Sequence, residues 1–542
     1  MLSLCFIFRH LEQYRMKKKT QIYAILSFLL LQINITQAQD LTFAKVYEDI
    51  ANGMGVKANL IMPTFDTSYL LIGSSEIHNY SNITKVNQYG DVVWGKTYSF
   101  NNYFNFDLNC GTPTYDSAFV IAGSIKNEST DKTDNFLMKI NESGDILWTS
   151  TFGTADVSSY SLSVEQSNDS GFIISGYYLH TNPIKYCINV LKTDKHGQLE
   201  WAKEIVLGDY MNISYCAKQT TDTTYVLTGK FKDDPPSVNY SFVMNLSSTG
   251  DVNWVKKMWI DGELMGINDF MLDGNDLFLF FENMDHIGLM KTDSAANILW
   301  SKEFTNQENE HALELPSKKM QRTSDGGFVF PYGNTYFWGG VLKADVQGNT
   351  IWHNDIAFMV EGISETINHE YLVLGTGPIE GVKGYYQMGL NQLTSQGIGS
   401  ECSTQSEVSA EDIIINSEEA AYTISSVALN TISNTIDVGN NIIVTKDGCV
   451  DFYGAVDETD SNKNLSIYPN PNHGVFSIEM LQEGQKRELK IYNILGELTD
   501  RIAIHTHLQS IDLSHHQAGT YFYSIQSESS VLSSGTFIIL EH

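Results

Sequence analysis

The chain is poor in the residues that would commit it to several familiar classes. It carries 34 Lys and Arg against 64 Asp and Glu, a net charge of −30. A surface of that sign repels nucleic-acid phosphates and anionic lipid, so no nucleic acid is expected as a partner. Ten Pro in 542 residues exclude a proline-rich linker. The six Cys (Cys5, Cys110, Cys187, Cys216, Cys402 and Cys449) include no C-x-x-C pair, which excludes common zinc and redox spacings and a disulfide scaffold. Beyond the first 38 residues no run of 18 apolar residues occurs, so no transmembrane span is expected in the mature chain. G-x-S-x-G, H-E-x-x-H and EF-hand spacings are absent as well, and no catalytic residue, metal ligand or cofactor is assigned. What remains is a chain with 42% hydrophobic residues, enough for two to four packed domains.

Residues 1–38 read as a secretory signal peptide. Met16-Lys17-Lys18-Lys19 is a basic start, Ile22 to Ile33 an apolar core and Thr36-Gln37-Ala38 a cleavage site, with Met16 the expected true start. Export permits disulfides, and Cys402–Cys449 is the candidate pair, because both lie outside the repeats described next. Cys110 and Cys216 share one offset, six residues before Asp116 and Asp222, and read as small buried groups.

Two motifs recur with a period of about 50 residues. One is an acidic or amide residue followed by an aromatic-led apolar run and Gly, as in Asp66-Thr-Ser-Tyr69-Leu-Leu-Ile-Gly73 and Asp116-Ser-Ala-Phe119-Val-Ile-Ala-Gly123. It returns at Asp169, Asp222, Asp325 and Asn368, and in degenerate form at Gly274 to Phe281. The other is Lys-x-Asp/Asn-x-x-Gly-Asp/Asn-x-x-Trp, marked by Gly90/Trp94, Gly144/Trp148, Gly197/Trp201, Gly250/Trp254, Ala296/Trp300 and Gly348/Trp352. Gly-Asp and Gly-Asn supply hairpin turns, and continuous apolar triplets suit strands covered on both faces. About four short strands per repeat, stacked radially, make a β-propeller. The seventh repeat lacks its Trp strand, whereas Leu41-Thr-Phe43-Ala-Lys45 resembles Ile298-Leu-Trp300-Ser-Lys302. The expectation is therefore an all-β chain whose residues 39–402 form a seven-bladed propeller closed by the N-terminal strand. Residues 41–402 resemble the bacterial propeller-like repeat proteins with Asp-Gly-Gly-Phe and Lys-Thr-Asp-x-x-Gly-Asn-x-x-Trp signatures, which speak for architecture and not activity.

Residues 403–464 lack the repeat and read as a β-rich connector ending in a polar linker. Residues 465–542 read as a small Ig-like β-sandwich of short alternating strands. This module resembles the carboxyl-terminal sorting domain of the type IX secretion system of Bacteroidota. The matching positions are Pro469, Asn470, Pro471, Gly474, Asn493, Gly496, Gly519 and Tyr521. The resemblance implies passage through the periplasm and across the outer membrane, with the secretion machinery as a partner and the cell surface or medium as destination.

Several constellations invite a chemical reading and receive a plain one. Gly90 to Thr97 matches the phosphate-loop spacing, but in a hairpin rather than before a helix. His505, His507, His515 and His516 cluster without a third ligand type and read as surface residues of the module. Asp273-Gly-Asn-Asp276 reads as a turn. Trp338, near Tyr332 and Tyr336, offers a stacking patch for sugar, although packing is the commoner fate of such rings. The function expected is a non-enzymatic surface or secreted binding platform for a glycan or protein ligand. The alternative is a secreted polysaccharide hydrolase or lyase with acidic residues on propeller loops.

Overall fold

A computed structural model describes residues 42–49, 56–75, 80–100, 103–127, 129–220, 223–233, 238–261, 263–283, 286–306, 319–333, 339–356, 358–378, 386–400, 403–405, 408–432, 436–440, 443–447, 465–468, 475–480, 487–492, 498–504, 508–516, 519–526 and 531–539. The signal segment 1–38, Cys402, Cys449, Trp338, His505 and His507 lie outside the described residues.

Seven antiparallel sheets of five strands, each built on one repeat, form the blades of a propeller. Blade 1 runs through Lys57–Pro63, Tyr69–Ser74, Tyr80–Val86 and Val92–Ser99, and its two middle strands are buried along their whole length. That burial explains the uninterrupted apolar runs, since neighbouring blades cover both faces. The innermost strands of the other blades are Tyr103–Pro113, Ser158–Gln166, Met211–Gln219, Gly266–Asp273, Gln321–Arg322 and Met359–Glu365.

The tryptophan of each blade seals the joint to the next. Gly144, Gly197, Gly250, Gly348 and Gly397 all adopt left-handed backbone, with φ from 73° to 81°. A methyl group on any of them would come within 2.5–2.9 Å of the ring of Trp94, Trp148, Trp201, Trp300 or Trp352 respectively. The glycine is thus needed twice, for its φ and for the close approach of the indole. The indole N–H of Trp94, Trp201 and Trp352 donates to a backbone carbonyl in the next blade's turn, those of Glu142, Ser248 and Ser395. Two residues on, a lysine reaches the acid that follows the glycine, as in Lys96–Asp145 at 2.7 Å and Lys203–Asp251 at 3.1 Å. Covering half an indole removes on the order of 100 Å2 from water, about 2–3 kcal/mol per joint.

The last joint uses the N-terminal strand. Ala44–Asp49 pairs with Tyr386–Leu393 of blade 7, with Val46 opposite Gly389. Phe43 takes the tryptophan's place over Gly90, Lys45 reaches Asp91 at 2.5 Å, and the Tyr47 hydroxyl donates to the Gly90 carbonyl at 2.7 Å. The ring is closed.

Residues 403–447 depart from the connector expected of them, because they give every blade its fifth strand. The segment travels backwards round the ring: Ser403–Gln405 on blade 6, Val408–Asp412 on blade 5, Asn416–Glu419 on blade 4 and Thr423–Ser426 on blade 3. Asn430–Ile432, Asp437–Asn440 and Ile443–Asp447 continue it over blades 2, 1 and 7. The step is seven residues per blade. Ile413, Ala420 and Val427 donate their N–H groups to the carbonyls of Ser301, Val255 and Ala202, each one residue past a tryptophan. An apolar residue recurs with the same step, at Val408, Ile415, Tyr422, Leu429, Ile436 and Ile443. Val408 and Ile415 are buried, and Leu429 and Ile436 pack against blade cores. This strap pairs the outer edges that would otherwise offer free backbone to other chains.

The second compact unit, Tyr453–His542, has a three-stranded and a four-stranded sheet. Phe476 and Ile511 of one sheet share a core with Leu489, Ile491, Ile504, Tyr521 and Ile539 of the other.

Within blades, the two sequence motifs meet as ion pairs. Lys85, Lys139, Lys192 and Lys343, all nearly buried, reach Asp66, Asp116, Asp169 and Asp325 at 2.5–2.8 Å. For Asp325, burial works against ionisation, but hydrogen bonds from Lys343, Thr323 and the Gly327 amide outweigh it and hold the carboxyl at about 2. Its unfolded value is near 4. A depressed folded value stabilises the fold above about pH 4, and that contribution is lost as pH falls towards about 2. Urea midpoints between pH 5 and pH 2 should therefore fall less steeply for Lys343→Met than for the parent chain. An equal slope would show that this pair does not couple to folding.

Candidate functional site

Because the strands alternate in direction, both repeated motifs lie at one end of every blade. The first forms the hairpin between strands one and two, the second the hairpin between strands three and four. The opposite end carries the hairpins between strands two and three and the crossings from blade to blade. No motif repeats there, so that face is the one free to carry a specific site.

Most of the innermost strands are modified near that face. The register shifts by one residue in six of the seven, leaving Asn59, Asn109, Leu162, Tyr215, Asn268 and Glu361 as bulged residues. A bulge re-aims its side chain away from the ladder. Asn59 donates to the Leu108 carbonyl at 2.9 Å and Asn109 to the Ser161 carbonyl at 3.3 Å, each bridging to the next blade. The bulged residues Asn59, Asn109, Leu162 and Glu361, with Lys57, Tyr160, Tyr177 and Lys319, line a cavity of about 470 Å3 on the propeller axis.

Aromatic rings lead out of this cavity across blade 3. Tyr160 stacks on Tyr177 with centroids 4.8 Å apart, Tyr186 follows at 5.5 Å, and Tyr210, 42% exposed, at 6.2 Å. The Tyr210 backbone fastens the run, accepting from the Tyr186 amide and donating to the Lys232 carbonyl of blade 4. Burial among these rings pushes the Tyr177 hydroxyl well up, so it stays a neutral donor.

Charged groups of the innermost strands form a second layer. Asp269 accepts from Lys218 at 2.9 Å, the Cys216 thiol at 3.1 Å and the backbone amides of Phe270 and Met320. Its carboxylate therefore ties blades 4, 5 and 6 together. Burial raises the Glu165 carboxyl, and Lys218 and Lys319 oppose that rise.

The candidates from the sequence fall in other places. Cys110, Cys187 and Cys216 are buried. Tyr332 is buried and bonded to His353 and to Asp355, the latter at 2.6 Å, so it packs rather than stacks a ligand. Asp273 and Asp276 are held by Arg322 and Lys291. Of the sorting positions, Gly519 opens the strand Gly519–Gln526 and Tyr521 is buried in the module's core. Pro469, Asn470, Pro471, Gly474, Asn493 and Gly496 lie outside the described residues. His516 lies 2.6 Å from Asp500, with His515 at 3.9 Å. Sequence reasoning missed the axial bulges, whose only signal is a position seven residues before the first motif, Asn in three blades and Leu, Tyr or Glu in the others.

Residues 466–540 match the family described as secretion system C-terminal sorting domain. This module is a type IX secretion sorting domain, and it directs the protein through that machinery to the outer surface or the medium. No curated protein matches the chain. Among solved structures, the extracellular domain described as a one component system from B. thetaiotaomicron is similar at 10% identity, over 89% of this chain and 80% of that one, with a TM-score of 0.24. The extracellular domain of a hybrid two component system from the same organism is similar at 9% identity, over 92% and 99%, with a TM-score of 0.21. Among the described residues no helix is long and apolar enough to cross a membrane. Deleting 465–542 should trap the protein in the periplasm, read by fractionation and immunoblotting, and undiminished protein in the medium would count against this route.

Proposed function

We propose that the propeller is a non-enzymatic binding platform whose ligand enters the axial cavity and lies along the tyrosines of blade 3. The carrying observation is that Tyr160 and Tyr177 both line the cavity and begin the aromatic run to exposed Tyr210. A glycan chain suits such a surface. Sugar rings offer apolar faces to aromatics, and their hydroxyls find partners in Lys57, Asn59 and Asn109. The hydrolase alternative needs two acids in one pocket with different proton affinities. Asp269 has its oxygens occupied by four donors, and Glu165 faces two lysines, so an ion network fits these acids better than an acid–base pair.

In the same reading the sorting signal resides in Pro469, Asn470, Pro471, Gly474, Asn493, Gly496, Gly519 and Tyr521, a set rich in the residue types that favour turns.

Glycan-array binding by the exported protein tests the platform. Tyr160→Ala with Tyr177→Ala should weaken binding to any hit at least tenfold, with the thermal midpoint little changed. Hits that bind the double variant as well as the parent would remove the cavity from the reading, and turnover of a hit would favour the hydrolase.

A further inference from the structure

We propose that blade 3 carries a site for one divalent metal ion of the zinc type, formed by His180, Cys187 and Glu204. The three residues come from three adjacent strands, Phe172–Thr181, Ile184–Thr193 and Leu199–Val206. Their register fixes a common face. Tyr178 is opposite Cys187, His180 opposite Lys185, and Asn189 opposite Glu204. Directly paired residues share a face, as do alternate residues along a strand. Tyr178, His180, Cys187, Asn189 and Glu204 therefore project together.

The side chains converge as this placement requires. His180 Nε2 lies 3.0 Å from Glu204 Oε2, and the imidazole nitrogen, the thiol sulfur and the carboxylate oxygen are all within 4.8 Å of one another. Ligands about 2.0–2.3 Å from a tetrahedral zinc ion stand roughly 3.5 Å apart, so small side-chain rotations suffice. Cys187 is 1% exposed and forms the floor, while the side chains of His180 and Glu204 are 33% and 22% exposed and form the rim. Three protein ligands on that plan leave the fourth position to solvent or a ligand.

Charge and ligand softness select the ion. A thiolate, a carboxylate and a neutral imidazole balance a 2+ charge, so the occupied site is neutral where it is buried. One sulfur, one nitrogen and one oxygen suit zinc, whereas calcium and magnesium require shells of oxygen.

A second observation points to a missing ligand on this face. The Tyr178 hydroxyl and both amide atoms of Asn189, in side chains 2% and 1% exposed, have no hydrogen-bond partner. Buried polar groups are seldom left so, because each loses about 1–3 kcal/mol of hydration. They are the cross-strand neighbours of Cys187 and Glu204. Hydrogen bonds from this outer layer to metal ligands, or to a metal-bound water, satisfy both sets of groups.

The test uses the exported protein, stripped with chelator and titrated with Co2+ and Zn2+. The parent should bind one Co2+ with sulfur-to-cobalt charge-transfer absorption, and Zn2+ should displace it. Cys187→Ser should abolish the band, and His180→Gln and Glu204→Gln should each weaken binding at least tenfold. His516→Ala should leave the band in place, which separates this site from the thiol-free Asp500, His515 and His516 group. Should Cys187→Ser fail to fold, the two rim variants, with circular dichroism matching the parent, carry the same readout. Absence of the band in the parent, or its survival in Cys187→Ser or both rim variants, would overturn the proposal.

Discussion

The fold depends on one contact repeated round a circle, an aromatic ring laid over a left-handed turn residue of the next blade, glycine at six joints and Ala296 beneath Trp254 at the seventh. It links local chemistry to global shape. At the six glycine joints the hairpin takes positive φ and the ring leaves no room for a Cβ. Each blade is thereby tied to its successor, and its other face receives the preceding ring. Such a chain of joints remains incomplete until the first and last blades meet. Phe43 and Lys45 make that joint with the same geometry as Trp300 and Lys302, which is why the N-terminal strand serves as the outer strand of a blade begun near the other end of the repeat region.

The strap solves the problem the ring leaves behind. Seven blades have seven outer edges, and all are paired by residues 403–447. Its exposed side keeps Glu411, Asp412, Glu418 and Glu419, charges that discourage further strand addition. Its construction is economical in sequence, one apolar residue and a short polar strand per blade. Lys257–Glu418 and Lys302–Asp412 add ion pairs between the strap and the blades beneath it.

The repeats were legible because their residues are constrained by local physics. Gly90, Trp94 and Asp66 recur wherever the same turn and the same joint recur, and the register of Phe43 with Trp300 foretold closure. The strap was not legible in that way. Its seven-residue step, Val408 to Ile443, is not the two-residue alternation that marks a strand, since it measures the distance between blades. The axial site was hidden for a related reason. Asn59, Leu162, Tyr215 and Glu361 hold one structural position with four different chemistries, so no motif marks it. The His180, Cys187 and Glu204 grouping is invisible to linear spacing, because strand pairing rather than neighbourhood along the chain brings it together. The two faces divide the labour: one stitches the ring, and the other is free to differ from blade to blade.

Hydrogen exchange of the exported protein, read by mass spectrometry on peptides, tests closure most directly. The account predicts that Ala44–Asp49 exchanges as slowly as Tyr386–Leu393, because it is paired on both sides, with that strand and with Ile443–Asp447, in one blade of a closed ring. Rapid exchange in Ala44–Asp49 beside a protected Tyr386–Leu393 would mean an open row of sheets and would contradict it.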